Sequence, residues 1–387
     1  MKNVLQNVAV TLVATVISLV GIEVSLRIWG PEVLTLGNPY AFYEFDPVLG
    51  WNNRPNAKGQ MTRSEFSFPV SNNSLGMRDV EIGNKRPGEY RVAFLGDSFT
   101  WGMGVAYGER FTEVVAQQDA RIHTLNFGVT GFSPVQYLLQ LDRVFALQPD
   151  YVVLVFCLEN DLAENIEYTP YNHPKPYARL SSDGSRVEIA GYPLPVSSKE
   201  GPALFGATSS LRIVGLVKLA LDTFNKKPGG EILWALPFHA WPDLVSPQDQ
   251  QAIDMAYRIN ELLLDEIRKR VDRAIGPGRF AVVLAPSESE YAPPDKLMYP
   301  NVVADRVLEG LMRLGIPALD GRPVLTTADF WKTDGHWRPS GHRKIGELIA
   351  KYLESVPRPP NAASAAMGDG SPATGNGEAR LPRPVAR

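Results

Sequence analysis

The stretch from Val92 to Ser98 constrains the fold of this chain more than any other. Val92–Leu95 is a short apolar run, typical of a buried strand in a parallel sheet. Gly96-Asp97-Ser98 follows at once, so a glycine permits a sharp turn and a serine comes at the carboxyl end of the strand. Ligands and reacting groups collect at that end of open α/β sheets. Ser98 is therefore a candidate nucleophile, provided that a histidine and a carboxylate reach it.

Strands and helices alternate from Tyr90 onward, which predicts a right-handed parallel α/β sheet. The predicted strands are Val92–Leu95, Ile122–Phe127, Tyr151–Cys157, Arg279–Ala285 and Ile316–Leu319, with a strand or extended connection at Ile232–Phe238. The predicted helices are Arg110–Gln118, Pro134–Leu147, Leu211–Phe224, Pro247–Ile275, Pro294–Leu314 and Ser340–Leu353.

The amino-terminal residues 1–30 are predicted to form a signal anchor, that is, a single transmembrane helix. Val8–Ile22 is nearly all apolar, and its flanks extend the run to a length that can cross a bilayer. No cleavage site of small residues follows, which favours an uncleaved anchor over a removed signal peptide. Lys2 and Arg27 lie at opposite ends, so charge does not select an orientation.

The remaining chain divides by composition into three further parts. Residues 31–87 are interpreted as a juxtamembrane segment that packs on the main domain. Residues 88–356 are predicted to form that domain, with an insertion at about 162–245, and residues 357–387, which are rich in Pro, Ala, Gly and Ser, are predicted to form a disordered tail. Trp51 and Arg78 of the juxtamembrane segment either line a substrate cleft or, as is more common, anchor loops.

Composition excludes some classes of function. The net charge of -3 and the lack of a basic cluster give no reason to expect a nucleic-acid partner. The sequence contains no zinc-ligand spacing, and its single cysteine, Cys157, excludes an intramolecular disulfide.

The carboxyl-terminal part supplies partners for Ser98. His336 follows a loop, and Asp334 lies two residues before it, where a carboxylate can fix the imidazole tautomer. His342, on the final helix, is interpreted as structural. Asp97 is expected to brace the turn next to Ser98, because Asp334 fits the role of triad acid better.

Oxyanion donors are predicted at the next two strand ends. Gly128 and Gly131 permit a tight loop whose N–H groups point into the cleft, and Asn160 presents a side-chain amide after the third strand. Asparagine at a strand end is often only a turn former. Here, however, three successive strands each end in a residue type that acyl transfer requires.

Four blocks in this order resemble the SGNH/GDSL hydrolase superfamily over about Tyr90–Leu353. The blocks are Gly96-Asp97-Ser98, Asn126-Phe-Gly-Val-Thr-Gly131, Glu159-Asn160-Asp161 and Asp334-Gly-His336. The resemblance implies a flavodoxin-like three-layer α/β/α sandwich with a parallel sheet. It implies that Ser98 is the nucleophile, His336 the base and Asp334 its orienting acid. Ser98 N–H, Gly131 N–H and the Asn160 side chain would form the oxyanion hole, and no cofactor or metal is required.

Two departures refine the resemblance. Asp334 and His336 are two residues apart instead of the usual three, which resembles the membrane-anchored branch that includes alginate-type polysaccharide O-acetyltransferases. Leu158 replaces a common glycine of the third block. The implied activity is that of a serine esterase or O-acetyltransferase acting on acetyl groups of a cell-envelope or exported polysaccharide. The domain would then face the periplasm or the exterior, and its substrate would be an acyl ester or acetylated carbohydrate.

One alternative stays open: a catalytically silent carbohydrate-binding or assembly factor that keeps the fold. The tryptophans suited to sugar stacking in such a protein are Trp101, Trp241, Trp331 and Trp337. A phosphate-binding flavodoxin-like protein is disfavoured, because the loop after the first strand lacks a glycine-rich anion cradle.

Overall fold

The structure is a computed structural model. It describes residues 2–29, 42–63, 65–168, 173–194, 211–213, 216, 250–291 and 302–358. Several predictions lie wholly or largely outside these residues. They are the helix at Leu211–Phe224, the strand at Ile232–Phe238, Trp241, the start of the helix at Pro294 and most of the tail.

Helix α1, Lys2–Trp29, is exposed along its apolar part. Val10–Trp29 is long and apolar enough to cross a membrane, although an amino-terminal signal sequence has the same properties. Its valine, leucine and isoleucine side chains are largely exposed in the part of the chain that the structure describes, unlike those of a helix in a soluble core.

Eleven strands are present in the described residues. They are β1 Tyr43–Asp46, β2 Gly50–Asn53, β3 Lys58–Thr62, β4 Ser67–Ser71, β5 Tyr90–Gly96, β6 Ile122–Gly128, β7 Tyr151–Cys157, β8 Tyr177–Leu180, β9 Val187–Ala190, β10 Phe280–Ala285 and β11 Ala318–Asp320. Three antiparallel hairpins, β1–β2, β3–β4 and β8–β9, lie outside the main sheet.

Eight helices follow α1 in the described residues. They are α2 Ser98–Trp101, α3 Phe111–Gln118, α4 Pro134–Leu139, α5 Leu141–Ala146, α6 Asp161–Glu164, α7 Gln250–Ile275, α8 Val302–Arg313 and α9 Pro339–Ser355.

The main sheet has the order β11-β10-β7-β5-β6, and every pair in it is parallel. β5, β7 and β10 are buried along their whole length, as expected for a parallel sheet covered on both faces. Alternate residues of β5 enter opposite cores. Ala93 and Leu95 pack with α4, α5, α7 and α8, whereas Val92 and Phe94 pack with α3 and α9. The predicted three-layer α/β/α fold is confirmed.

The predicted helix Pro134–Leu147 is wrong in one respect. The structure has two short helices, α4 and α5, that meet at Gln140. Gln140 has a ψ of -3°, which is far from the α-helical value, so the regular hydrogen-bond pattern is interrupted there. The apolar periodicity continues across the break, which is why the sequence pattern shows a single helix.

Candidate active site

Ser98 begins helix α2 directly after β5, at the carboxyl end of a central strand. Gly96 allows this tight connection, because a Cβ there would lie 2.1 Å from the Thr100 hydroxyl. Asp97 caps the helix by accepting the Phe99 N–H at 2.9 Å. Its carboxylate therefore braces the turn.

His336 reaches Ser98 across 238 residues of chain. Its Nε2 lies 2.7 Å from Ser98 Oγ, and its Nδ1 is hydrogen-bonded to the Asp334 carboxylate. Gly335 lies between the two with φ +84°, a left-handed conformation that favours glycine. The imidazole also packs on the Phe99 ring, with centroids 4.8 Å apart. The three side chains thus form a continuous Asp–His–Ser hydrogen-bond chain.

The charges within the Asp–His–Ser hydrogen-bond chain favour His336 as the base. Burial lowers the pKa of His336, but the charge and hydrogen bond of Asp334 outweigh it, so the net pKa lies above the usual 6.5. Burial likewise opposes ionisation of Asp334, yet His336 and the nearby Arg63 bring its pKa below the usual value. An ionised Asp334 would stabilise the imidazolium that forms when His336 takes a proton.

Asp97 differs from Asp334 in its electrostatics. Burial raises the pKa of Asp97 to about 6, against the opposing effect of the Phe99 N–H and the charge of His336. The Asp97 carboxylate accepts the backbone N–H of Phe99, while His336 Nδ1 is bonded to Asp334.

The glycine block approaches Ser98 from the neighbouring strand. Gly96 pairs with Gly128, and Val129 N–H donates to the Gly96 carbonyl at 3.1 Å. Gly128 N–H is already donated to Asn126 Oδ1 at 2.9 Å, and a Cβ on Gly128 would collide with the backbone of α2. Gly131 has φ +74°, and its N–H has no partner among the described residues. These facts favour Gly131 over Gly128 as a predicted oxyanion donor.

The other two predicted donors lie at the ends of β5 and β7. Ser98 N–H is in the first turn of α2, where N–H groups have no intrahelical partner. Asn160 is buried just before α6, and its Nδ2 donates to Glu164 Oε1 at 3.2 Å. One amide hydrogen of Asn160 is therefore held by Glu164. The oxyanion-hole roles of these groups stay a prediction.

These contacts bring the ends of β5, β6 and β7 together with the loop before α9. Residues of all four sequence blocks therefore lie at the same edge of the sheet.

No family model matches the chain, and no curated protein does. Solved structures do match. The aryl esterase of M. smegmatis is 13% identical, with 69% of this chain and 99% of that one covered and a TM-score of 0.38. A GDSL-like lipase from Bacteroides thetaiotaomicron is 11% identical, with 70% and 91% covered and a TM-score of 0.35. A carbohydrate acetylesterase from Sinorhizobium meliloti is 12% identical, with 69% and 99% covered and a TM-score of 0.37. At these TM-scores the backbones superpose only loosely.

His342 has surroundings unlike those of His336. It is fully buried, and its Nδ1 accepts the Phe111 N–H at 3.3 Å. Burial and then the charges of Arg110 and Arg78 lower its pKa to about 3. The side chain is thus a neutral packing group, in agreement with its structural interpretation.

The tryptophans proposed for sugar stacking are mostly unsuitable. Trp101 and Trp337 are completely buried, so the expectation that they line an open cleft is wrong. Trp101 packs against Phe68 in a small separate cluster with the β3–β4 hairpin, and Trp337 packs against Phe99 in the core that also contains residues of α3 and α9. Trp331 is half-buried against Phe66, and Trp241 lies outside the described residues.

Arg78 and Trp51 anchor loops around the site. The Arg78 guanidinium is buried and donates to the carbonyls of Trp101, Gly102 and Val105, which follow the nucleophile helix. Trp51 is half-buried, and its Nε1 donates to the Thr130 carbonyl at 2.9 Å. For Arg78 the structure supports the anchoring interpretation, since both terminal nitrogens of its guanidinium donate to backbone oxygens.

A buried lysine behind Asn160 was missed in the sequence. Lys175 Nζ is fully buried and donates to Ser133 Oγ at 2.7 Å and Gln136 Oε1 at 3.2 Å. It also lies 3.7 Å from Glu164, the carboxylate that holds Asn160. No local signal marks Lys175, because it follows a proline in a loop-like stretch of the insertion.

Proposed function

We propose that the protein is a serine-dependent acyl-ester hydrolase or O-acyltransferase that works through an acyl-enzyme. The observation that carries this proposal is the 2.7 Å contact between Ser98 Oγ and His336 Nε2, completed by Asp334 on the other ring nitrogen. A serine hydroxyl is a weak nucleophile unless an oriented base removes its proton.

The proposed reaction has two halves. Ser98 Oγ attacks the ester carbonyl while its proton passes to His336 Nε2, and the resulting oxyanion is held by the backbone N–H groups and the Asn160 amide. Each such donor is worth about 3 kcal/mol in comparable sites. His336 then protonates the departing alcohol, which leaves an acyl group on Ser98. In the second half, His336 deprotonates water or a sugar hydroxyl, which attacks the acyl-serine and releases acid or a new ester.

The proposed substrates are acetyl esters of a cell-envelope or exported polysaccharide. Support comes from the short Asp334–His336 spacing, which resembles the membrane-anchored acetyltransferase branch, and from the apolar helix α1, which can act as an anchor. The main domain would then face the periplasm or the exterior.

The silent carbohydrate-binding alternative has less support. A binding protein has no need for a base, yet the nucleophile, the base and the acid are all in hydrogen-bond contact. Two of its four candidate stacking tryptophans are completely buried. It predicts that Ser98 can be replaced without loss of function.

The test uses the full-length chain in detergent micelles. The release of p-nitrophenol from p-nitrophenyl acetate is measured for the wild type and for Ser98→Ala. We expect turnover by the wild type and none above background for the variant, with the same thermal unfolding for both. Equal rates in the two proteins would reject the enzyme proposal.

A second measurement separates hydrolysis from transfer. Active enzyme is supplied with p-nitrophenyl acetate and oligosaccharide acceptors, and the sugars are analysed by mass spectrometry. An acetyl mass increment that requires Ser98 indicates a transferase, whereas acetate alone indicates an esterase.

A further inference from the structure

The turn between β3 and β4 reaches the loop that holds the triad acid. The Glu65 carboxylate accepts the N–H groups of both Thr333 and Asp334, the latter at 3.0 Å. Both bonds end on the same oxygen, Oε2. This contact joins two parts of the chain that are nearly 270 residues apart and that no sequence motif relates.

The described residues on either side of the turn are joined by a hydrogen bond. Arg63 N–H donates to the Phe66 carbonyl at 2.9 Å, which closes the hairpin around Glu65. Phe66 is buried against Phe68 and Trp331, with ring centroids 5.7 and 5.5 Å away. Trp331 begins the loop that leads to Asp334, so the turn and the loop share a small aromatic core next to Glu65.

The contact with Glu65 adds to the hydrogen bonds that the loop makes within itself. Gly335 is in a left-handed conformation and a Cβ there would meet nothing within 4 Å, so local packing does not hold this residue. Within the loop, Gly335 N–H donates to Trp331 O and Trp331 N–H donates to His336 O. These bonds fix Gly335 and His336, while the backbone N–H groups at 333 and 334 are fixed by Glu65.

We propose that Glu65 is a positioning residue for the triad acid Asp334, a role that rests on the proposed serine-hydrolase function. By accepting the two peptide N–H groups on either side of the Thr333 Cα, it keeps the Asp334 carboxylate against His336 Nδ1. It touches neither the substrate nor the reacting atoms. Its action is through Asp334 on the orientation and basicity of His336.

The charged groups around this pair define what a change at Glu65 would do. Asp334 faces His336 and Arg63, and His336 faces Asp334, Asp97 and Glu159. Asp334 is the largest of the influences that raise the pKa of His336 against its burial. When Asp334 moves away, the pKa of His336 therefore falls, and the imidazole stays neutral to lower pH.

The experiment compares four full-length variants in detergent with p-nitrophenyl acetate across a pH series. Glu65→Ala removes both bonds and is expected to lower kcat by about ten- to a hundredfold, with little change in KM, since small misplacements of catalytic groups are costly. The acid limb of its kcat/KM profile shifts to lower pH. Glu65→Gln keeps an acceptor oxygen and is expected to stay within about threefold of the wild type with an unshifted limb.

The other two variants are controls. Glu81→Ala removes a carboxylate of the same segment that accepts the N–H and the hydroxyl of Ser74, and not an N–H of the loop. It should leave kcat and the limb unchanged. Glu65→Asp keeps the charge but shortens the reach by one methylene, so it should resemble Glu65→Ala, and it carries the test if Glu65→Ala does not fold.

Three results would overturn the inference. One is a wild-type kcat and acid limb in Glu65→Ala, and another is a Glu65→Gln variant as impaired as Glu65→Ala. The third is a lower rate with an unshifted limb and a smaller folded fraction, which would indicate a merely structural role.

A readout that does not depend on turnover separates this inference from the proposed function. The proton in the His336–Asp334 hydrogen bond gives a low-field proton NMR signal, which Asp334→Asn identifies. We expect Glu65→Ala to lose or weaken it and Glu65→Gln to retain it. An inactive wild type that shows this pattern would refute the hydrolase but keep the positioning role, whereas a signal unaffected by Glu65→Ala would refute that role.

Discussion

His336 and His342 lie six residues apart around the start of α9, yet their surroundings give them opposite acid–base properties. The His336 side chain is 22% exposed and contacts a carboxylate and the Ser98 hydroxyl. His342 is fully buried, accepts a backbone N–H and lies within the electrostatic influence of Arg110 and Arg78. The pKa of the first is raised and that of the second is lowered to about 3.

The comparison shows that burial alone does not make a histidine a base. Burial disfavours the imidazolium in both regions, and the sign of the nearest charge decides the net result. Asp334 offsets the burial of His336, whereas Arg110 and Arg78 add to the burial of His342. Only the first imidazole is suited to accept a proton near neutral pH.

The largest expected effect tests the two histidines directly. His336→Ala should lower kcat for p-nitrophenyl acetate by roughly 10⁴-fold or more, because the base of the triad is removed. His342→Asn should keep kcat within about threefold, since the asparagine oxygen can still accept the Phe111 N–H. A folded His342→Asn protein without activity would reverse the comparison.

The next effect separates the two carboxylates near His336. Asp334→Asn is expected to lower kcat by roughly 10³- to 10⁴-fold, because an amide cannot stabilise the imidazolium. Asp97→Asn should cost less than about tenfold, since its oxygen can still cap the Phe99 N–H. Steady-state rates with p-nitrophenyl acetate measure both effects. A larger loss of kcat in Asp97→Asn than in Asp334→Asn would mean that Asp97, and not Asp334, is the triad acid.

A third, smaller effect concerns pH. Because the pKa of His336 lies above 6.5 in the folded protein, kcat/KM should fall as pH drops through that raised value. In Asp334→Asn, the charge that raises the pKa of His336 most is lost. The acid limb of the residual activity should therefore move to lower pH. The pH profiles of kcat/KM in both proteins test the sign, and a limb that moves upward contradicts the electrostatic account.

The smallest effect is on stability at the second histidine. His342 is neutral when folded, and its pKa of about 3 lies below the usual 6.5. Its stabilising contribution is therefore complete above about pH 6.5 and is lost as pH falls toward 3, by up to about 1.4 kcal/mol per pH unit. His342→Asn should cost about 1–3 kcal/mol at pH 7.

Denaturant unfolding followed by tryptophan fluorescence measures this contribution. The free energy of unfolding of His342→Asn should depend less on pH between 6.5 and 3 than that of the wild type. Asparagine does not titrate. If the free energy of unfolding depends on pH in the same way in the wild type and in His342→Asn, His342 already binds a proton in the folded protein.

Much of the fold follows from local sequence patterns. The run Tyr151–Cys157 coincides with β7, and the other predicted strands of the main sheet end within two residues of the observed ones. Such strands are readable because a strand buried on both faces must be almost entirely apolar. The break at Gln140 was not readable, because the apolar pattern runs through it.

The site residues could be predicted from the sequence where their combination of residue types is rare. Gly-Asp-Ser after an apolar run and Asp-Gly-His before the last helix predicted the residues that meet. The supporting residues were not readable. Glu65 and Lys175 are ordinary charged side chains in loops, and only the tertiary contacts show that one holds the Asp334 loop and the other lies behind Asn160.

The sequence by itself thus determined the apolar amino-terminal helix, the alternation of strands and helices, and the residue types at the strand ends. Only the tertiary structure showed that Arg110 and Arg78 lie near the buried His342 and lower its pKa. It also decided that Trp101 and Trp337 are core residues and that the β3–β4 turn supports the triad acid. The physical reason is that periodicity reports only which face of an element is buried, whereas charge environment and hydrogen-bond partners arise from segments that are distant in the chain.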